Sequence, residues 1–532
     1  MKKLNSKQSI VWKEMAWVLI MVIVCYIILF TNRTYPFFIT DEGDNFLGAK
    51  MVANGLDVYK EFTSQHMPLM YYICSVFYLL GARTVIQFRL FFYAFLCLVW
   101  ACMYLRYNKF FGKLTMSIYP LLYMCAMHFV EMGYSVLSEQ MWAQGMVILL
   151  LEYLIYVKQK RISVSSSCWI SFAVFISFGT AFMSAASIGI VFLAVLISEI
   201  IIQSKEKEGF IKGFQGICKR NGRMILIILF PFIILVLWYL ISGNLYNAYY
   251  GSFVVNREYY PKYNGSIQTT LGTLWQSFIA LKNWIWCTNE TEVYLQLIIF
   301  GVFLVFMFLK RQYLAVVCVF LFTVFCGIRG IDTFHALPMH AVFMMMGALL
   351  FGEVFKAYIR PRMEESVLKD KIILVGCCIA VLAAVYFPIY RIYYENKQLL
   401  RVQENESVDA YPEGYDVIKK LTYENEEVYE CTMNPWFFFA TDTLPSATSA
   451  ACPWIYDAYK NEILKDLQTE PPRIVVYDED ISVWGYRFGD FAADMCEYFE
   501  ENYTLLDGFT TIHVRNDYYE EACRIVGVNQ AN

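Results

Sequence analysis

Ala16-Trp17-Val18-Leu19-Ile20-Met21-Val22-Ile23-Val24-Cys25-Tyr26-Ile27-Ile28-Leu29-Phe30, followed shortly by Thr40-Asp41-Glu42-Gly43-Asp44, decides how this chain is read. The apolar run lies in a segment, 12–30, long enough to cross a bilayer as a helix, for which about 17–25 residues suffice. Three carboxylates then stand at its outer end. Charge is costly beside hydrocarbon, so such a cluster is read by default as a functional site, with an ordinary acidic loop as the alternative. A second polar group, Gln65-His66-Met67-Pro68-Leu69, adds an imidazole in the same outer segment.

Working outward, 58% of the residues are hydrophobic and only 17% charged, which lies outside the balance of soluble domains. The composition predicts a polytopic α-helical membrane protein. Segments of spanning length recur at 12–30, 90–105, 114–130, 141–157, 167–183, 185–203, 223–242, 292–309, 312–328, 336–356 and 371–390, about eleven helices. Cytoplasmic loops retain Lys and Arg. With the N-terminus inside, 23 Lys and Arg up to residue 390 fall on the inner side and nine on the outer, so the N-terminus is expected in the cytoplasm. Pro68 to Gly81 is apolar but only 14 residues long, and as a span it would move Arg106, Lys109 and Lys113 outside. It reads as a re-entrant or interfacial helix, making Thr31 to Arg89 one outer unit. Within that unit, Phe46, Leu47, Met51 and Val52 recur at helical spacing before Asn54-Gly55, which predicts a helix along the membrane surface.

Beyond residue 390 the character changes. Residues 391–532 carry 11 Lys and Arg against 27 Asp and Glu, a net charge of −16. The expected division is therefore a transmembrane domain, 1–390, and an acidic extracytoplasmic domain, 391–532. Short apolar runs at Glu427–Cys431 and Arg473–Tyr477 alternate with helical stretches around Ile455–Leu467 and Phe491–Asn502, the pattern of a small α/β domain with a few parallel strands. The sixteen cysteines show no metal spacing. Cys431, Cys452, Cys496 and Cys523 are those that could pair in an oxidising compartment. The first apolar stretch lacks a small-residue cleavage site and is expected to stay as a helix.

A carboxylate beside an acceptor hydroxyl can remove its proton as a bond to an electrophile forms. No phosphate-binding loop or dinucleotide fingerprint is visible, so no nucleotide cofactor is expected and the electrophile must arrive activated. A lipid-linked donor entering from the bilayer meets that need. Its phosphate would require cations, for which Arg83, Arg89, His66, Arg257 and Arg329 are the outer candidates. Arg257 also lies among aromatic residues of a kind that form interfacial belts.

The order of a first helix, Asp41-Glu42 at its outer end, a surface helix, Tyr59, the His66-Met67-Pro68-Leu69 turn and Arg89-Leu90 resembles the polyprenyl-phosphate-sugar-dependent glycosyltransferases of the protein O-mannosyltransferase and aminoarabinose-transferase superfamily. Ser138-Glu139, Phe334-His335 with Pro338, and Glu470-Pro471-Pro472-Arg473-Ile474-Val475-Val476 resemble further family elements. The resemblance implies an integral membrane enzyme of the bacterial plasma membrane that moves a sugar, with inversion, from a polyprenyl phosphate such as undecaprenyl phosphate to an extracytoplasmic protein, lipid or polymer acceptor. It implies Asp41 as the base, Glu42 as the group that orients the acceptor or the base, and His66 and Arg89 as contacts to the lipid phosphate. Arg83, Glu139, Arg257 and His335 are further substrate-binding candidates. The family's second proline in the turn is Met67 here. No metal is implied; Asp44 and Glu139 are the ligands a divalent ion would use. No nucleic-acid partner is expected. Two rivals remain: a repeat-unit polymerase or ligase of cell-surface polysaccharide, and a lipid-linked sugar flippase or transporter, which would show internal repeats and mid-membrane polar residues.

The charge bias predicts that residue 480 and the segment 31–89 lie on the same, non-cytoplasmic side. Labelling of single introduced cysteines in intact cells should reach both; a residue 480 reachable only after permeabilisation would exclude the topology.

Overall fold

The computed structural model describes residues 2–34, 41–129, 132–204, 209–264, 290–327, 333–359, 414–432, 434–446 and 452–527. The expected 371–390 helix and Arg329 lie outside the described residues. Among the described residues, six helices are long and apolar enough to cross a bilayer: Val11–Thr31, Val85–Phe111, Ser138–Gln159, Ser184–Ile202, Gly222–Ile241 and Phe334–Ala357. Four further expected spans fall on shorter apolar stretches within the helices Lys113–Phe129, Val164–Thr180, Glu290–Leu309 and Tyr313–Cys326. This is a polytopic helical membrane protein. The Pro68 to Gly81 stretch forms an 11-residue helix, Leu69–Leu79, about 16 Å long and well short of a bilayer's hydrocarbon core.

Two compact units emerge, one of 1–36, 89–234 and 268–406, the other of 37–88, 235–267 and 407–532. This grouping differs from a single cut at residue 390, because residues close in space need not be close in sequence. Residues 37–88 and 235–267 pack with the C-terminal residues.

In the first unit the Ser138–Gln159 helix is buried continuously from Glu139 to Tyr156. Helices in lipid gain little from apolar burial against one another, so close backbone approach and polar contacts take over. At Gly145, a Cβ would stand 2.7 Å from the carbonyl oxygen of Ala173 on the Val164–Thr180 helix. Gln144 Oε1 accepts from Trp100 Nε1 at 2.9 Å and the Tyr119 hydroxyl at 3.1 Å, and Gln140 Oε1 accepts from Tyr123 at 2.6 Å. Glu152 is gripped by Arg106 through Nε and Nη2, at 3.1 and 3.0 Å, and by the Tyr107 hydroxyl at 3.0 Å. Arg106 was counted among the inner loop charges; it sits within the Val85–Phe111 helix, neutralising a buried carboxylate.

The second unit is built on a five-stranded mixed sheet of order β2-β1-β3-β7-β6. Its strands are β1 (Glu427–Glu430), β2 (Leu444–Pro445), β3 (Ile474–Val476), β6 (Tyr503–Leu505) and β7 (Ile512–Arg515), with a separate hairpin of β4 (Ser482–Val483) and β5 (Tyr486–Arg487). β1 runs parallel to β2 and β3, as the alternating pattern suggests, while β7 pairs antiparallel with β3 and β6. Alternation sends successive side chains to opposite faces. Val428, Ile474, Val476 and Val514 therefore share one core with Leu47, Met51, Phe62 and Tyr71 from the first outer segment. Tyr429 and Val475 face the other, with Ile463 of the Pro453–Thr469 helix and Phe499 of the Ala493–Asn502 helix. The helix expected along the membrane surface, Asp41–Ala53, has nine buried residues and is held inside this unit by Leu47 and Met51. Cys431, Cys452, Cys496 and Cys523 are buried free thiols, without the pairing considered for them.

Gly145→Leu should overpack the contact with Ala173 and lower stability by about 1–3 kcal/mol. Gly189→Leu, where a Cβ meets nothing within 4 Å, is the control. Equal thermal unfolding of the two variants in detergent would exclude close packing at Gly145.

Candidate functional site

The Asp41–Ala53 helix opens with Asp41, Glu42 and Asp44 in its first turn, where negative charge complements the exposed N–H groups. The turn divides them. Glu42 is fully buried, whereas Asp41 and Asp44 reach a cleft in the second unit. Asp44 Oδ2 accepts from the Tyr71 hydroxyl at 2.7 Å, and His66 Nε2 lies 3.9 Å away.

The loop carrying His66 is fixed on every side. The Tyr59 hydroxyl donates to the His66 carbonyl at 2.6 Å and receives a bond from Ser252 at 2.9 Å. The His66 N–H bonds Ser64 Oγ at 3.0 Å, Asn256 Nδ2 holds the Gln65 carbonyl at 2.7 Å, and Trp454 Nε1 donates to Gln65 Oε1 at 2.6 Å. Tyr59 adopts φ +69°, a conformation that bulky residues rarely take and that the two hydroxyl bonds maintain.

Facing Asp41, Asp44, Thr63 and His66 across the cleft are Glu430, Asn434, Pro435, Cys452, Trp454 and Trp484. The empty volume, counting the open mouth, is about 780 Å³. Glu430 stands at the C-terminal end of β1 and is only 6% exposed. It accepts from the Thr432 N–H at 2.8 Å, the Thr432 hydroxyl, and the Asn434 N–H at 3.3 Å. Burial pushes its carboxyl up to about 7, against the lowering pull of these bonds. The signal for Glu430 was present in the sequence: it shares parity with buried Val428 and ends a parallel strand, where ligands of α/β sheets gather. Trp454 and Trp484 carry no comparable signal.

The other expected residues fall into separate places. Arg83 is exposed, caps its own turn by donating to the Tyr78 and Ala82 carbonyls at 2.6 and 2.9 Å, and stacks over Tyr78. Arg257 is exposed on the π-helix Tyr250–Tyr259. Neither is among the residues lining the cleft. Arg89, Glu139 and His335 belong to the first unit. Arg89 is completely buried, its Nη1 donating to the Arg33 carbonyl at 3.0 Å. Glu139 is buried with His335, Oε1 to Nδ1 at 2.8 Å. Among the described residues no group of three or more His, Cys, Asp and Glu side chains is placed to hold a metal.

The fold is that of ArnT from Cupriavidus metallidurans. The structure bound to undecaprenyl phosphate aligns with a TM-score of 0.55 at 14% identity, covering 94% of this chain and 98% of that one. The apo structure gives the same TM-score and coverage at 12% identity. No family model and no curated protein sequence matches the chain.

Glu430 makes stability pH-dependent. Its carboxyl is raised in the fold, so its contribution is fully present below the ordinary value of 4.5 and is lost as pH rises through about 7. The shift corresponds to about 3 kcal/mol. Thermal unfolding of Glu430→Gln should gain on the wild type as pH rises through that window; parallel curves would show that Glu430 ionises freely.

Proposed function

We propose that this protein is a membrane glycosyltransferase that moves a sugar from a polyprenyl-phosphate donor to an acceptor on the outer face. The observation that carries the reading is Asp41 lining a cleft in a chain that shares, over nearly its whole length, the fold of ArnT, an aminoarabinose transferase whose structure holds undecaprenyl phosphate. The donor lipid would approach from the bilayer along the apolar helices.

In the transfer, Asp41 takes the proton of the acceptor hydroxyl as its oxygen attacks the anomeric carbon. The bond from that carbon to the phosphate oxygen breaks, and the polyprenyl phosphate leaves with the electron pair. Attack from the side opposite the leaving group inverts the anomeric centre. Asp41 is suited to the base's role because it is partly exposed and lines the cleft. Glu42, buried one residue on in the same turn, acts on it as a positioning group. Of the described lining residues His66 alone can carry positive charge, and its backbone is held on both sides, so it meets the phosphate at a fixed place. The N-terminus is cytoplasmic and the sheet-bearing residues are extracytoplasmic in this reading.

The test uses purified full-length protein in a membrane mimetic, a polyprenyl-phosphate sugar, and a total membrane extract as acceptor source. Released polyprenyl phosphate is the readout, since a flippase leaves the donor intact. Asp41→Asn should lower release by roughly 10²-fold or more, with Glu42→Gln milder. Undiminished release by a folded Asp41→Asn protein would remove Asp41 as the base; no release by the wild type would remove the transferase reading.

A further inference from the structure

Trp484 and Gly485 form the tip of the β4–β5 hairpin at φ +54° and +83°. Two-residue turns with both φ positive favour Asn, Asp and Gly, and an indole there is an outlier. The hairpin is no part of the five-stranded sheet, so strand pairing does not require it. It is braced nonetheless. The Tyr486 hydroxyl donates to the Tyr263 carbonyl at 2.9 Å, with the two rings 5.3 Å apart, and Arg487 holds Asp480 at 2.8 Å and Asp490 at 3.2 Å. What the brace presents is a tryptophan left 50% exposed. A large apolar ring kept partly in water on a rigid support gains nothing for the core and is suited to a ligand.

The ring is also aimed. Trp484 lines the cleft and meets Trp454 edge to face, with centroids 5.4 Å apart, and the Trp454 nitrogen is pinned to Gln65. The same cleft holds carboxylates from both sides, Asp41 and Glu430 among them. Glu430 accepts three bonds, which leaves one acceptor place when ionised and a donor when protonated.

We propose that Trp484, backed edge to face by the buried Trp454, forms an aromatic platform that binds a sugar ring in this cleft, with Glu430 bonding the ring's hydroxyls. A ring sugar has an apolar face of C–H groups and a polar rim. An indole surface covers the first, and a carboxyl at fixed distance pairs with the second. A polyprenyl tail would use the indoles and leave the carboxyl unmatched; a peptide would need backbone donors and acceptors that the platform does not offer. The inference rests on reading the cleft as the place of sugar transfer, and the sugar can belong to the donor or to the acceptor.

The test labels the full-length chain in detergent with 5-fluorotryptophan and assigns the Trp484 fluorine signal by its loss in Trp484→Phe. Methyl glucoside, methyl mannoside and glucosamine are the probes. The expected result is a saturable shift of the Trp484 signal by at least one of them, with affinity on the order of millimolar. Glu430→Gln should weaken it several-fold. No saturable shift with any probe overturns the platform, whether or not the chain transfers sugar. In the turnover assay, Trp484→Ala should raise KM for donor or acceptor more than it lowers kcat, and the affected KM identifies whose sugar is held. Both KM values unchanged also overturns the proposal. A saturable shift in a chain that consumes no lipid-linked donor keeps the platform and removes the transferase reading.

Discussion

One buried ammonium group holds the second unit in the shape its cleft needs. Lys50 is only 2% exposed, and its Nζ donates to the carbonyls of Phe438 at 2.8 Å and Thr443 at 3.0 Å. Those oxygens lie on and just beyond the Pro435–Ala440 helix, where a cation is favoured at the exposed C-terminal carbonyls. Burial pushes the Lys50 amine down to about 8, with Asp442 pulling the other way, so the charge persists at neutral pH. Charge-assisted bonds contribute about 1.5–3 kcal/mol each, enough to offset much of the desolvation. The consequence is geometric. Lys50 is the last-turn residue of the helix that begins with Asp41, and the chain it grips leads from β1, which ends in Glu430. One interaction fixes both walls.

The strands and helices of the C-terminal region were legible because they obey local rules. Glu427–Glu430 and Ile474–Val476 alternate as buried strands do, and Pro453–Thr469 carries a helical stripe. Asp41, Asp44 and His66 were legible because polar groups just after a spanning helix are anomalous. What could not be read was which distant segment closes over them. Trp454 bonds Gln65 across 389 residues of sequence, and Lys50 bonds Phe438 across 388. Nothing in either segment names the other. Arg83 and Arg257 were chosen for charge alone, and charge does not say whether a side chain will turn to its own backbone or to solvent. Arg106 shows the same limit from the other side, since a basic residue near a helix end counts as a loop charge until its acidic partner is known.

The two units solve opposite problems with the same residue types. In the helical unit, polar side chains find partners inside the bundle: Glu152 has Arg106 and Tyr107, Glu139 has His335, and Gln144 has Trp100 and Tyr119. Hydrocarbon offers no alternative donor, so a helix carrying such groups must turn them inward. That is why the Ser138–Gln159 helix, the most polar of the apolar ones, is buried along its length. In the second unit, Asp41, Asp44 and His66 reach a cleft that water can enter, and the protein spends its hydrogen bonds on the backbone around them.

That difference bears on where chemistry can occur. A carboxylate whose oxygens are taken up by a guanidinium and a phenol, as at Glu152, has little capacity left to accept a proton from a substrate and is a poor base. Asp44 is intermediate, sharing Tyr71 and standing near His66. Glu430 is bonded on both oxygens yet buried enough to hold a proton up to about neutral pH. Under the proposed function, the cleft combines a partly exposed carboxylate to take a proton with one protonated near neutrality to give a hydrogen bond. A neutral Glu430 also reduces the negative charge that an incoming phosphate would meet beside Asp41 and Asp44. Under the proposed function, the burial that makes Glu430 costly to ionise would let an acidic cleft admit an anionic lipid headgroup.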